Sequence, residues 1–267
     1  MHYNIPLAIA VTLLVALGGC ATHSGEDTLP TLRYVGSSTI VNFILEAEPI
    51  YGRARFVVDT DSESAGGESA ILAGRADLAG VATNPREETL KAGVRATMIG
   101  QDAIAVVVNR ANAIDDLSAS QLKRIFTGKA LNWREFGGPD LAIRPFIVGP
   151  ASATRRVFRS AILADESYAG CKVVRPDIEI LSAVESDQGG IGQISLSFLA
   201  SCDGVKLLTI AGERADPKNA DYPIARPLYL LWWTGRDRVA DFITWTTSED
   251  AEAVLSKRFL QPRDGNS

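Results

Sequence analysis

Asp102-Ala103-Ile104-Ala105-Val106-Val107-Val108-Asn109 is the stretch that decides the fold class. Its apolar residues run without polar alternation, which suits a strand covered on both faces, as strands are in a parallel α/β sheet. Downstream, Leu117, Leu122, Ile125 and Phe126 fall at helical spacing behind Ser118, a residue able to cap the helix, and Ile143 to Val148 reads as the next strand. Arg155 to Leu163 follows as a helix. Gly189-Gly190-Ile191-Gly192-Gln193-Ile194 is a glycine-rich approach to a strand, and Val205 to Ile210 and Pro227 to Trp233 are further strands. Two terminal helices, Asp241 to Ser248 and Glu249 to Leu255, are interrupted near Thr246-Thr247. Upstream, strands at Leu32 to Val35, Arg55 to Val58 and Leu78 to Ala82 alternate with helices at Thr39 to Ala47 and Glu68 to Leu72. Strands alternating with helices throughout predict an α/β protein.

Three turns lie where a strand gives way to a helix: Gly36-Ser37-Ser38-Thr39, Ser64-Ala65-Gly66-Gly67 and Ser152-Ala153-Thr154. A helix N-terminus leaves its first N–H groups unpaired and carries partial positive charge, so small residues there expose backbone donors and hydroxyls add side-chain donors. Ser and Thr are also ordinary N-caps, so one such turn says little. Three of them, each at the carboxyl end of a strand, mark the place where open α/β sheets bind ligands.

The rest of the composition narrows the chemistry. A chain of 267 residues, 46% hydrophobic and 22% charged, has ample core for one large or two medium domains. A net charge of −5 argues against a nucleic-acid surface or a polybasic membrane patch, so any anion site must be local. The only histidines are His2 and His23, outside the expected domain. Ser-His-Asp and Cys-His nucleophile systems, histidine metal sites and a histidine general base all lack their central residue. We therefore expect a protein that is not an enzyme, with no catalytic residues, no metal and no cofactor.

The apolar segment Ile5 to Leu17, at about 13 residues, is too short to span a membrane as a mature helix and reads as an export signal. Leu17-Gly18-Gly19-Cys20 resembles the bacterial lipobox, in which Cys20 would become the lipidated first residue; an uncleaved anchor is the alternative. Residues 1–20 are then a lipoprotein signal peptide and residues 21–31 a polar tether. The expected location is the periplasm or cell surface, held to the membrane by the lipid. Cys171 and Cys202 remain as an even pair in an exported chain, which predicts a disulfide, with two buried thiols as the alternative.

From Gly100 onward the chain resembles the periplasmic phosphate-binding proteins of ABC transporters. The resemblance is carried by Asp102 to Asn109, then Leu117-Ser118, Gln121-Leu122, Ile125-Phe126-Thr127-Gly128, Asn132-Trp133 and Gly137-Gly138-Pro139-Asp140. Ala225-Arg226-Pro227-Leu228-Tyr229 resembles that family's return segment and Gly36-Ser37-Ser38-Thr39-Ile40 its first anion turn. The resemblance implies a two-lobed α/β type 2 periplasmic-binding fold, with mixed sheets flanked by helices and joined by two crossover strands. Residues 32–109 and 226–262 would form one lobe, residues 110–225 the other, and residues 263–267 a tail. The crossovers would fall near Val108-Asn109 and Arg226-Pro227.

The function it implies is capture of inorganic phosphate or a related oxyanion between the lobes, for delivery to an ABC permease by a monomeric, lipid-anchored receptor. Carried over, the ligand-binding residues are Ser37, Ser38, Thr39, Ser64, Gly66, Gly67, Thr83, Ser152, Ala153, Thr154 and Arg155. The family adds an arginine and a proton-accepting aspartate, and here the chain departs from it. Val148 stands for the arginine, Ala153 for a glycine, Pro150 for a common acidic residue, and Thr83 aligns with the aspartate. Those departures motivate a second reading, a degenerate family member acting as a sensor or interaction protein. Asp59, Asp61, Glu63 and Glu68 flank the second turn, while Arg155 and Arg156 open the third helix. They read first as a solvated face and ordinary first-turn positions, and second as compensation for the missing charges.

Overall fold

The computed structural model describes residues 29–259 except 202, 217 and 220. The expected signal peptide, Cys20, most of the tether, Cys202 and the tail lie outside those residues. In chain order the elements are β1 (Thr31–Gly36), α1 (Ser38–Tyr51), β2 (Arg55–Asp59), α2 (Glu63–Leu72), β3 (Leu78–Val81) and α3 (Glu87–Lys91). Then come β4 (Arg95–Asn109), β5 (Asp116–Leu117), α4 (Ala119–Phe126), β6 (Arg144–Val148), α5 (Ala153–Leu163), β7 (Lys172–Val174) and α6 (Glu179–Glu185). The chain ends with β8 (Gly190–Ser195), β9 (Val205–Ile210), β10 (Ala225–Trp232), α7 (Asp237–Trp245) and α8 (Glu249–Leu255).

The strands lie in the order β2-β1-β3-β10-β4-β8-β6-β7, with β9 also on β4 and β5 on β9. β1 pairs in parallel with β2 and β3, and β6 with β7 and β8, whereas β10 is antiparallel to both β3 and β4. The long strand β4 belongs to two sheets. Its residues Arg95 to Ala103 pair with β10, and Ile104 to Val108 pair with β8. The chain therefore passes between lobes at Ala103/Ile104. Sequence placed this crossover near Val108-Asn109, but Val106 to Asn109 already pair with β9 of the second lobe. The return passage is β10, whose Ala225 sits opposite Ala103.

The apolar run is buried on both faces. Val106 and Val108 point into the main core of the second lobe with Leu122, Phe126, Trp133 and Phe158, while Val107 points the other way among Phe146, Ile180 and Val184 beneath α6. Alternation of the pleat sends each valine into a dry layer, and each such side chain contributes about 1.5–3 kcal/mol by leaving water. The first lobe repeats the arrangement. Tyr34, Phe43, Leu230, Phe242 and Trp245 pack on one side of its sheet, and Ile71, Val81 and Leu231 under α2 on the other.

Local sequence explains the helix starts. Ser118 accepts from Gln121 N–H while Gln121 Oε1 accepts from Ser118 N–H, a reciprocal cap that fixes α4. Ser152 caps α5 by accepting from Thr154 N–H. The second turn differs from expectation: Ser64-Ala65-Gly66-Gly67 lies inside α2, which starts at Glu63. Gly67 is a packing residue, because a Cβ there would stand 2.9 Å from the Val35 carbonyl oxygen and 3.0 Å from Gly36 Cα. Its lack of a side chain lets α2 lie directly on β1.

Candidate functional site

β1 ends on Gly36 and delivers Ser37 to the start of α1. Ser37 N–H donates to the Gly80 carbonyl at 2.9 Å, and the Tyr34 hydroxyl donates to the Ser37 carbonyl at 2.7 Å from beneath. The turn is thus held by β3 on one side and a buried phenol on the other. α1 has no acidic residue in its own first turn. The carboxylate that answers its free N–H groups comes from α2: Glu63 Oε2 accepts from Ser38 N–H at 3.1 Å. Ser38 Oγ is buried and makes no hydrogen bond of good geometry among the described residues, although it lies close enough to the Glu63 carboxyl to oppose its rise. A buried hydroxyl without a partner costs about 1–3 kcal/mol unless something in the cleft satisfies it.

Thr39 faces inward. Its Oγ1 accepts from Arg226 Nη2 at 2.9 Å, and Arg226 also donates from Nε and Nη2 to Asp102 Oδ2 at 2.9 and 2.8 Å. Asp102 in turn accepts from Ser195 Oγ at 2.8 Å. Both Arg226 and Asp102 are fully enclosed, and they sit where β4 and β10 cross between lobes. Burial pushes the Asp102 carboxyl up, and the Arg226 guanidinium opposes that rise. The arginine missing at Val148 has no counterpart there, since Val148 is a core residue packed under α6. A buried guanidinium does reach this region, but from β10.

From the second lobe, Ser152 donates its hydroxyl to Asp177 Oδ2 at 2.6 Å, and Asp177 sits just ahead of α6. Glu63, Asp61, Thr60, Gly149, Ala151, Ser152, Arg175 and Asp177 line one cavity of about 340 Å3, so the α2 start and the α5 start share it. Burial raises the Glu63 carboxyl to about 7, with the Asp177 charge acting in the same direction, and Ser38 and Arg226 opposing. Burial likewise raises Asp177, against Ser152, Arg226 and Arg175. The solvated-face reading of the acidic cluster is corrected at Glu63 and at Glu68, which is enclosed and bonded to Arg86.

The other expected residues divide. Ser64 and Thr83 line a second cavity of about 420 Å3 with Ala65, Glu68, Asn84, Arg86 and Arg156, and the Ser64 hydroxyl oxygen accepts from Ala82 N–H. Ala153 is buried among apolar residues of the first lobe, and Thr154 is enclosed. Gly66 and Gly67 are helical, and Gly67 is pressed against β1. Arg155 packs its guanidinium over the Tyr168 ring at 5.2 Å and points Nη1 at the Val148 carbonyl, with Pro150, Arg156 and Arg159 around a separate hollow. Among the described residues Cys171 has no disulfide partner, and its Sγ is directed at the Phe126 and Ala169 carbonyls; its expected partner Cys202 lies outside the described residues. Sequence reasoning did not single out Asp177, Arg175 or the Asp102–Arg226 pair. Asp102 at the mouth of the apolar run and Arg226 in the return segment were both in view, but nothing in the sequence paired them.

A family model described as the PBP superfamily domain matches residues 21–250. The phosphate-binding protein PstS 2 of Streptococcus agalactiae is 38% identical over 104 residues, covering 38% of this chain and 35% of that protein. The phosphate-binding protein PstS of Bacillus subtilis is 32% identical over 142 residues, covering 50% and 47%. The matched part thus spans between a third and a half of these curated relatives. Among solved structures, a chain assigned as a phosphate ABC transporter substrate-binding protein with bound phosphate, from Clostridium perfringens, superposes with a TM-score of 0.80 at 24% identity. That superposition covers 87% of this chain and all of the other. An ABC-type phosphate transport receptor from Vibrio cholerae gives 0.69 at 21% identity, over 86% of this chain and all of the other. The fold is therefore the two-lobed type 2 periplasmic-binding architecture.

Proposed function

The chain belongs to the PBP superfamily, and on that premise we propose that it is an extracytoplasmic receptor that captures an oxyanion, with phosphate the first candidate, between its lobes for an ABC permease. The observation that carries this reading is Ser38 at the N-terminus of a 14-residue helix, whose buried Oγ has no hydrogen-bond partner among the described residues and whose N–H donates to Glu63, a residue lining the cavity shared with the start of α5. Neutral donors from both lobes around one anion would make the closed state depend on the ligand's contacts. Ser37, Ser38, Thr39, Ser152 and Thr154 form or brace the walls in this reading and Gly66 and Gly67 set the approach of α2, while Ser64 and Thr83 belong to the second cavity, Arg155 to the separate hollow and Ala153 to the apolar packing. The phosphate-binding names of the curated relatives support the same ligand class. Lipidation at Cys20 after removal of residues 1–19, a tether to residue 31 and a monomeric state complete the proposal. A Cys171–Cys202 disulfide belongs to it as well. The departures at Val148, Pro150 and Thr83 bear on which oxyanion binds, and no observation favours the sensor alternative over capture.

Thermal unfolding of the chain lacking its signal, in buffer alone and with millimolar phosphate, arsenate, sulfate or molybdate, tests this. A ligand at a thousand times its Kd adds about 4 kcal/mol, which for a chain of this size raises Tm by about 8–16 °C. A melting temperature that none of the four anions moves would rule the receptor reading out.

A further inference from the structure

Positive charge gathers on α5, in a chain whose net charge is −5: Arg155 and Arg156 lie in its first turn and Arg159 in its second. The three line one hollow of about 330 Å3 with Pro150, Ser167 and Tyr168. All six belong to the second lobe and none lines the cavity between Glu63 and Asp177; Arg156 alone also borders the cavity of Ser64 and Thr83. Counter-charge is scarce there. Asp165 approaches Arg159 Nε at 3.5 Å, while Glu166 is held by Lys123 and Lys129 at 2.8 and 2.7 Å. Among the described residues Arg155 and Arg156 have no ion-pair partner, and the first turn of α5 holds no acid, so the positive end of the helix adds to their field. Arg155 and Arg159, four apart on one helix, repel each other.

Part of the hollow is fixed in advance. The Tyr168 hydroxyl donates to the Arg155 carbonyl at 2.9 Å and accepts from Nε2 of the enclosed Gln193 at 3.1 Å, which holds the ring. The Arg155 guanidinium rests over that ring at 5.2 Å and gives Nη1 to the Val148 carbonyl at 3.4 Å, leaving Nε and Nη2 unspent. A guanidinium presents its N–H groups as a planar fork that matches two oxygens of a phosphoryl group. A single phosphoryl group leaves much of a hollow this size empty. Two linked ones span it and bring the charge to match three guanidinium groups answered by one carboxylate.

We propose that this hollow is a second anion site, separate from the inter-lobe cleft, and that it takes a diphosphate group. Arg155, held by Tyr168, is its fixed wall, and Arg156 and Arg159 fold onto the ligand from the same helix. No bond is made or broken there. The group is either a soluble anion or the headgroup of a lipid, and the chemistry at the arginines is the same for both.

Titration calorimetry of the chain lacking its signal, with sodium pyrophosphate and separately with sodium phosphate, tests this. Arg159→Gln is expected to weaken pyrophosphate binding at one site about tenfold and to leave the orthophosphate titration unchanged. Arg159→Lys, which keeps the charge and loses the fork, should fall between the two. Raising salt from about 0.05 to 0.5 M should weaken pyrophosphate binding in the parent, because the site is open to solvent. Vesicles of phosphatidylcholine carrying farnesyl diphosphate assign the source: Arg159-dependent capture points to a lipid headgroup, and no capture to the soluble anion. No heat from pyrophosphate, or a pyrophosphate titration that Arg159→Gln does not alter, overturns the proposal. A variant that loses orthophosphate together with pyrophosphate overturns the separation of the two sites. Absence of orthophosphate heat in the parent counts against the receptor reading and leaves the pyrophosphate result to be judged by itself.

Discussion

Arg226 is enclosed between lobes with Asp102 as its counter-charge, and replacing it tests how the crossover is held. In Arg226→Met the Asp102 carboxylate keeps the Ser195 hydroxyl and the Ser197 N–H as donors but loses its ion-pair partner among the described residues. Removing one partner of a buried ion pair costs about 3–5 kcal/mol, because the remaining charge is left without compensation. At about 2–4 °C per kcal/mol for a chain of this length, Tm should fall by about 6–20 °C. Removing both charges in Asp102→Leu/Arg226→Met should recover much of that, since two apolar side chains need no partner and Ser195 Oγ still has Ser197 Oγ at 2.8 Å. Urea unfolding followed by tryptophan fluorescence is the assay. Trp245 packs in the core of the first lobe and Trp133 in that of the second, so single-tryptophan variants report each lobe separately. The account fails if Arg226→Met lies within about 1 kcal/mol of the parent, or if the double variant is no more stable than the single one.

Other expectations follow from individual contacts. Gly67→Ala gains helix propensity of about 1 kcal/mol, but its methyl must displace β1, so we expect a net loss of about 1–2 kcal/mol in urea unfolding; a net gain would contradict the close approach. Ser118→Ala should cost about 1 kcal/mol through loss of the reciprocal cap on α4, read in the same assay. The Glu63 carboxyl is raised from 4.5 to about 7 on folding, so the folded state holds its proton more tightly. Its contribution is complete below about pH 4.5 and is lost as pH rises through about 7. Glu63→Gln should flatten that part of the stability profile and exceed the parent by about 3 kcal/mol at pH 8.5; parallel profiles would show that Glu63 does not titrate there.

The α/β class was legible because Val106, Val107 and Val108 leave no polar face, and a strand of that kind has to be sandwiched. The capped starts at Ser118 and Ser152 were legible for a similar reason, since the capping chemistry is local in sequence. What escaped was decided at long range. The start of α2 at Glu63, four residues before Gly67, depends on that glycine lying on β1, a contact no periodicity reports. Glu63 looked like one more surface acid among Asp59, Asp61 and Glu68, yet the fold turns it toward Ser38, 25 positions away. Asp177 sits in a connection after the three-residue strand β7, too short to leave a pattern. The partner change in β4 was misplaced because nothing within the apolar run from Ala103 to Val108 marks that pairing passes from β10 to β8 at its very start.

The placement of β10 has a consequence for the order in which the molecule can be assembled. It lies between β3 and β4 as an antiparallel insert, although those two strands precede it by more than a hundred positions in the chain. Strands β4 to β9 of the second lobe are contiguous in sequence and can pair as soon as they exist, whereas the first lobe keeps an open slot until residues 225–232 arrive. A chain synthesised or translocated from its N-terminus therefore presents two unsatisfied strand edges for most of its passage. That delay keeps half of the protein threadable until the end, and it makes nonsense or frameshift changes before residue 225 costly out of proportion to the length they remove.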